Sequence, residues 1–330
     1  MDDTWQALQA IAATVRDRAR ARRILVTGTE GKTGFTSQFR HLASGQIEVA
    51  ARPDSNNMDH GICTALANIK RDDAVAVLEV AVPYRHRGMR RAQLVQPELC
   101  VITEIGYEHL AKHGSVDELI KAKASVASAL VEDGRCLIQS NPRYFEKLRK
   151  RIRRYGEFPI FTFGTDHADF GRLLAAHFDG LRRGWEVEAV VGGQSISYFL
   201  PRVEQHAPLS SVAVLAAMRL IDLDLEVALE RFHSLDLFET AGRMQELSAR
   251  SGGTYTLYDQ SHRNYLLALD DFFQTASRLT PRLGGRKILV LGHIYDEREY
   301  GNLIWEMLPP LRLRQMIDTC GLDSIYTIGH

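Results

Sequence analysis

Cysteine is scarce: four residues in 330, Cys63, Cys100, Cys136 and Cys320, far apart and with no C-x-x-C pair. That excludes a disulfide framework and is the pattern of reduced thiols in a cytoplasmic protein. Long apolar runs are lacking too. The most apolar stretch, AVAVLEVAV at 74–82, carries Glu79 and is far too short to span a bilayer. The first ten residues, MDDTWQALQA, are acidic and hold no apolar signal core. There is no excess charge of either sign, with 41 basic and 41 acidic residues, so no global field favours nucleic acid or an anionic membrane surface. Internal repeats and low-complexity segments are absent. What remains is a soluble, cytoplasmic globular chain long enough for two domains.

The pattern along the chain is α/β. Residues 4–22 read as an amphipathic helix ending in RARARR. RILVTG is then a short β-branched strand feeding a glycine loop, and KTGFTSQFRHLAS continues as a helix. AVAVLEVAV and ELCVITEIG are near-continuous apolar runs, as in strands buried on both faces of a parallel sheet. SVDELIKAKASVASAL has helical spacing and opens with Ser115 three residues before Glu118, a capping-box pattern. From 158 to 200 short strands with glycine turns read as a β-rich appendage on the sheet. Two helices follow, then a linker near 238–243, then a second α/β alternation from TYTLYDQ to SIYTIGH. The expected organisation is a larger α/β domain over 1–240 and a smaller one over 241–330.

The chemistry centres on VTGTEGKT, residues 26–33. The common phosphate loop is G-x-x-x-x-G-K-S/T. Here Gly31, Lys32 and Thr33 supply its end, but Val26 stands at the first glycine position and Gly28 comes two places later. The strand–loop–helix context suits phosphate binding: backbone N–H groups and the helix start hold phosphates, the lysine reaches the terminal ones and the hydroxyl binds Mg²⁺. Glu79 is a carboxylate in an apolar strand, costly unless paired or metal-bound. A Mg²⁺ ligand and an arginine-paired buried glutamate both account for it. Glu104, Glu108, His109 and His113 follow another strand, where acids and imidazoles suit a metal or a substrate. Arg85, Arg87, Arg90 and Arg91 fit a carboxylate- or phosphate-binding cluster and a solvated basic turn equally well.

In their order these motifs resemble the Mur ligases, ATP-dependent amide-forming enzymes. GTEGKT (28–33) matches that family's short loop G-T-x-G-K-T at every fixed position, Gly28, Thr29, Gly31, Lys32 and Thr33. SNNMDHG, with Asn56 and Asn57, resembles the N-N-x-x-G segment of the D-alanyl-D-alanine-adding branch. VLEVAV resembles the strand whose glutamate holds Mg²⁺, here Glu79. PELCVITEIGYEHLAKHGSVDELIKAKASV resembles the stretch that supplies a histidine ligand, His109, and a lysine carbamylated in many members, Lys123. AGRMQEL resembles the interdomain linker, with Arg243 near the phosphates. YDQSHRN resembles the D-x-x-H motif, with Asp259 on the nucleotide and His262 nearby. His206 begins the segment that helps seat adenine, but Ala207 and Ser210 stand where the family has asparagines, and Glu104 replaces another asparagine. His293 stands where an acid or cysteine is common.

The resemblance implies a central Mur-ligase-like ATPase domain, a mostly parallel sheet with helices on both faces, followed by a shortened Rossmann-like domain. It implies ATP and two Mg²⁺ ions as cofactors, and an ADP-forming ligase that joins small-molecule carboxylate and amine substrates through an acyl phosphate. Lys32, Arg243, His109 and Lys123 would be catalytic. Thr33, Glu79, His109 and Lys123 would hold metal. Asn56, Asn57, Arg85 and His262 would face substrate. An N-terminal UDP-sugar-binding domain is not recognisable, so the expected acid is an amino acid, a peptide or a specialised-metabolite acid rather than a UDP-sugar peptide. Two alternatives stand beside this: a nucleotide-binding subunit that needs a partner chain, or a homodimer, to complete its C-terminal domain, and a simple phosphate-loop ATPase or kinase.

Overall fold

The computed structural model describes residues 3–50, 56–106, 114–140, 143–235, 244–248, 250, 252–259, 266–281, 284–292 and 310–328. The chain opens with α1 (Thr4–Arg18), β1 (Arg22–Thr27), α2 (Lys32–Ala43), β2 (Val49–Ala50), α3 (Asp59–Ala67), β3 (Val75–Glu79), α4 (Arg85–Val95) and β4 (Leu99–Ile102). It continues with α5 (Val116–Ala124), β5 (Arg135–Gln139), α6 (Phe145–Ile152), β6 (Ile160–Gly164), β7 (Gly171–Asp179), β8 (Gly184–Val191), β9 (Gln194–Leu200), α7 (Ala207–Leu220) and α8 (Leu225–Glu230). A smaller unit follows: β10 (Met244–Ser248), β11 (Thr254–Tyr258), α9 (Leu266–Arg278), β12 (Ile288–Leu291), α10 (Pro310–Asp318) and β13 (Ser324–Thr327).

One nine-stranded sheet, in the order β2-β3-β1-β4-β5-β6-β7-β8-β9, forms the large unit. It is parallel from β2 across to β7 and antiparallel from β7 to β9. Strand β1 explains the architecture in miniature. Ile24 and Val26 enter one core with Phe35, Phe39 and Leu42 of α2 and with α7, while Leu25 enters the opposite core with α3, α4 and α5. Alternate residues thus bury on both faces, which is why the strand reads as an unbroken apolar run. Helix α7 is buried almost all round from Ser211 to Met218, as its apolar composition requires. The smaller unit has its own core of Leu269, Phe273, Leu289 and Cys320 beneath a two-stranded parallel sheet.

One expectation changes. The first helix stops at Arg18 rather than running to residue 22. Arg22 and Arg23 are taken into the ladder with β3, and Arg23 pairs with Glu98 at 2.7 Å. The stretch 158–200 is the expected β-rich appendage on the sheet: Phe163 pairs in parallel with Gly171, and β7–β9 continue the sheet as its antiparallel end. Half of the expected capping box forms: Ser115 Oγ accepts from the Glu118 amide at 3.3 Å, while the Glu118 carboxylate accepts from Lys121. All four cysteines are free and buried. Among the described residues, no helix is long and apolar enough to cross a membrane. The expected linker at 238–243 lies outside the described residues.

Candidate functional site

Strand β1 pairs with β3 on one side and β4 on the other. Chain connections leave it in opposite directions, so its C-terminal end is the topological switch point where open parallel sheets form their crevice. The GTEGKT loop sits there, between Thr27 and the start of α2 at Lys32. Gly28 has φ +147°, and a Cβ added to it would lie 1.9 Å from Thr103 Oγ1. Only glycine lets the loop pass this close to the end of β4. Gly31 caps α2 in the left-handed conformation, φ +81°, which turns the loop directly into the helix.

The loop is fastened to the segment after β4. Thr29 N donates to the Glu104 carbonyl at 2.7 Å, and Gly106 N donates to Thr29 Oγ1 at 3.1 Å. Thr103 Oγ1 donates to the carbonyl of Thr27 at 3.2 Å. Two ammonium groups close on the same loop. Lys32 Nζ donates to the carbonyls of Gly28 (2.9 Å) and Thr29 (2.7 Å). Lys123 Nζ, on α5 and only 3% exposed, donates to the Gly28 carbonyl at 2.9 Å. Lys32 thus brings positive charge to the loop, where a polyphosphate would need it, and Lys123 brings a second amine to the same carbonyl.

Glu79 is the last residue of β3, beside Val26 in the ladder. Its carboxylate faces out of the strand's C-terminal end. Thr33 Oγ1 donates to Glu79 Oε2 at 2.8 Å, and Asn57 Nδ2 donates to Oε1 at 2.7 Å. Asn57 is itself fixed, since Ala81 N donates to its carbonyl at 3.0 Å. The arginine-paired alternative for Glu79 is not what these contacts show. A hydroxyl and a carboxylate held together are hard oxygen donors of the kind Mg²⁺ takes, so these side chains fit the ion. A cleft lined by Thr33, Ser37, Asn56, Ile62 and Glu79 opens beside them.

The arginines of α4 divide. Arg91 is 1% exposed; its Nε donates to Asp59 Oδ1 at 2.6 Å and its Nη1 to the Ala81 carbonyl. This is a structural pair that fixes the start of α3, and it answers the sequence alternatives for that residue: neither a substrate ligand nor a solvated turn. Asp59 meets an opposing cost of burial, which the Arg91 hydrogen bond and charge outweigh, so its carboxyl lies below the usual range. Arg87 joins the same aspartate at 3.3 Å. Arg85 is exposed and donates to Tyr155 OH at 3.1 Å.

His206 immediately precedes α7. Its Nδ1 lies 3.1 Å from Asp271 Oδ1, and its backbone N–H donates to the same oxygen at 3.3 Å. Burial works against a charge on the ring, but the hydrogen bond to Asp271 and the charges of Asp271, Glu204 and Glu30 outweigh it and raise His206 to about 8. Burial pushes the Glu104 carboxyl up, opposed by His206 and reinforced by Glu30 and Asp271. Asp271 carried no signal in the sequence: an aspartate on an amphipathic helix reads as a solvated face. Asp259 is exposed at the end of β11. The remaining expected site residues, His109, Arg243 and His262, with Glu108, His113 and His293, lie outside the described residues. The structure thus brings together Gly28, Thr29, Gly31, Lys32, Thr33, Asn57, Glu79 and Lys123 and leaves Arg85 apart from them.

Comparison with known proteins places this geometry. The model of the Mur ligase middle domain matches residues 26–208. The UDP-N-acetylmuramoyl-tripeptide–D-alanyl-D-alanine ligase of Rickettsia prowazekii is 20% identical over the whole chain, which covers 70% of that protein. Among solved structures, MurF from Acinetobacter baumannii superposes with a TM-score of 0.84 at 19% identity, covering all of this chain and 68% of that one. The MurF ligase of Thermotoga maritima in complex with ADP superposes with a TM-score of 0.80 at 18% identity, covering 99% of this chain and 71% of that one. The chain spans about two thirds of the length of each.

Proposed function

The chain belongs to the Mur ligase family, whose members form amide bonds with ATP, and from that premise we propose that it is an ADP-forming carboxylate–amine ligase working through an acyl phosphate. The observation that carries the reading is the Thr33–Glu79 pair at 2.8 Å beside a loop that gathers both Lys32 and Lys123. A carboxylate oxygen of the acid attacks the γ-phosphorus of ATP and ADP leaves. The amine then attacks the acyl carbon, the C–O bond to phosphate breaks, and the amide and inorganic phosphate are released with the amine's proton.

Phosphoryl transfer asks mainly for positioning and charge neutralisation. Lys32, with Arg243 from the linker, neutralises the terminal phosphates. The amides of 28–33 and the start of α2 orient them. Thr33 and Glu79 would hold one Mg²⁺, and Glu79, His109 and a carbamylated Lys123 a second. Bound there, the ions would draw charge off the phosphoryl oxygens. Asn57 holds the Glu79 carboxylate in its orientation. Asp259 contributes to the nucleotide from the second domain, whose boundary we put at 241.

For the acid, the names of the relatives support a peptide carboxylate carried on a UDP-sugar, with a dipeptide as amine. We put this class ahead of the free amino acid or specialised-metabolite acid expected from sequence. A second reading, a nucleotide-binding subunit with little activity until a partner or a second copy completes it, is favoured by His206, whose ring is already engaged by Asp271. The test is ADP release from Mg-ATP against UDP-linked peptides, free amino acids and small acids, each with and without an amine. ADP that requires both acid and amine supports the ligase, and the active acid selects the class. ATP binding without ADP release under every pairing overturns it in favour of the subunit.

A further inference from the structure

Helix α9 has two unlike faces. Leu269 and Phe273, flanked by Phe272 and Ala276, build the small unit's own core. Asp271, Thr275 and Arg278 stand at helical spacing on another face, and two of them reach the large unit. Asp271 meets His206. The Arg278 guanidinium stacks over the Trp185 ring of β8, 5.0 Å from its centroid. Arg183 and Glu246 add a bridge at 3.6 Å between the β7–β8 turn and β10.

This contact is not a continuation of a core. The apolar clusters of the large unit and of the small unit have no member in common. Thr275 Oγ1, Arg278 Nη1 and Trp185 Nε1 are buried without a hydrogen-bond partner among the described residues. A polar, incompletely satisfied surface between two units with separate cores is one that can part.

We propose that α9 is a releasable clamp on the large unit and that the Asp271–His206 pair is its pin, so that protonation of His206 governs the separation of the two units. The groups facing the pin make the direction definite. Asp271 of α9 touches His206, and Glu30 of the phosphate loop, Glu104 after β4 and Glu204 before α7 lie close enough for their charges to act on it. Arg202 is already paired with Glu204, and Arg278 lies on the Trp185 side. When His206 is charged it is the cation between carboxylates of both units. When it is neutral, Asp271 faces Glu104 and Glu30 across the contact with the cation between them gone and only Arg278 of its own helix left to offset it, and like charges push the units apart.

Docking adds Asp271 to the carboxylates that already favour charged His206, so the contribution is present while the ring is charged and is lost as pH rises through about 8. Asp271 is held below its ordinary value of 3.8 in the docked state, so its charge fails only in acid below that value. The clamp is therefore firmest above about pH 4 while His206 is charged, and loosens as pH rises through about 8. With the ring partly exposed, the docking equilibrium should fall roughly tenfold across the upper transition.

The inference is independent of which substrates the site takes, and its test uses no catalysis. Small-angle scattering of the full chain from pH 6 to 9 at fixed ionic strength reports the separation, and hydrogen exchange in β8 and α9 reports the contact itself. The expected result is a rise in radius of gyration and a loss of protection centred near pH 8. Asp271→Asn and His206→Gln should both give the open dimensions already at pH 6, without the step. A wild-type chain whose dimensions and protection stay constant while the His206 ring titrates by NMR overturns the proposal, and so does a step retained in a folded Asp271→Asn protein.

Discussion

Thr33 and Glu79 share a hydrogen bond of 2.8 Å that ties the first turn of α2 to the last residue of β3. A hydroxyl from the phosphate loop and a carboxylate from the neighbouring strand are thereby fixed side by side. Glu79→Gln keeps the size of the side chain and removes the charge. It should weaken binding of Mg-nucleotide at least tenfold while metal-free nucleotide binding changes little, a contrast that calorimetric titration with and without Mg²⁺ measures directly. Equal affinities for the two forms in both proteins would remove Glu79 from the metal site.

Lys32→Ala should reduce ADP formation by roughly 100-fold or more, the scale of losing one charge-stabilising group at a reacting centre. Stability should shift by only about 1 kcal/mol, because Lys32 gives up two hydrogen bonds to loop carbonyls that water replaces. Steady-state assay beside a denaturant melt separates the two effects. Full turnover in the variant would end the assignment.

Lys123 is buried against the Gly28 carbonyl. If it works as a carbamate, enzyme stripped of CO₂ at low pH and returned to neutral buffer should recover activity with added bicarbonate, and intact mass should show the adduct. Recovery without bicarbonate would mean that the ammonium itself is the working form.

Arg91→Ala should cost about 2–3 kcal/mol, because it leaves the Ala81 carbonyl without its partner and the Asp59 carboxylate with only the more exposed Arg87. Arg85→Ala, at an exposed site, should stay within about 0.5 kcal/mol and, if Arg85 meets the acid substrate, raise KM for the acid without lowering the melting temperature. A small loss for Arg91 would contradict the structural role of that pair.

Gly28→Ala places a methyl where Thr103 Oγ1 already stands. The expected loss is on the order of 2 kcal/mol with turnover abolished, and Thr103→Ala in the same chain should recover part of the stability. Melting curves of the single and double variants decide it.

The parts legible in the sequence were those with a local cause. GTEGKT between an apolar strand and a helix announces a phosphate loop, because the glycines are demanded by its backbone path and the lysine and threonine by its chemistry. The end of β3 at Glu79 and the Ser115 cap follow from side chains within a few residues. Arg91 was not separable from Arg85 because its partner, Asp59, lies on another helix. The pairing of Phe163 with Gly171, which fixes where the expected appendage of 158–200 joins the sheet, is a tertiary fact with no local mark. Asp271 is the sharpest case. Its meaning depends on His206 in another unit, and nothing in LLALDDFFQ distinguishes it from Asp270, which stays at the helix surface in contact with Gln274.

The strand order also dictates a timetable. Strand β1 is complete at residue 27, yet its partners are β3, ending at Glu79, and β4, ending at Ile102. Emerging from a ribosome, it must wait for both, an apolar segment without its hydrogen-bonding neighbours. Strands β7, β8 and β9 follow one another through short turns and pair in sequence, so they can assemble as soon as they appear. Non-local pairing is slow and local pairing fast, so on refolding the antiparallel edge should acquire exchange protection before the phosphate-loop strand does. Pulse-labelled hydrogen exchange would show β1 protected first if that order is wrong.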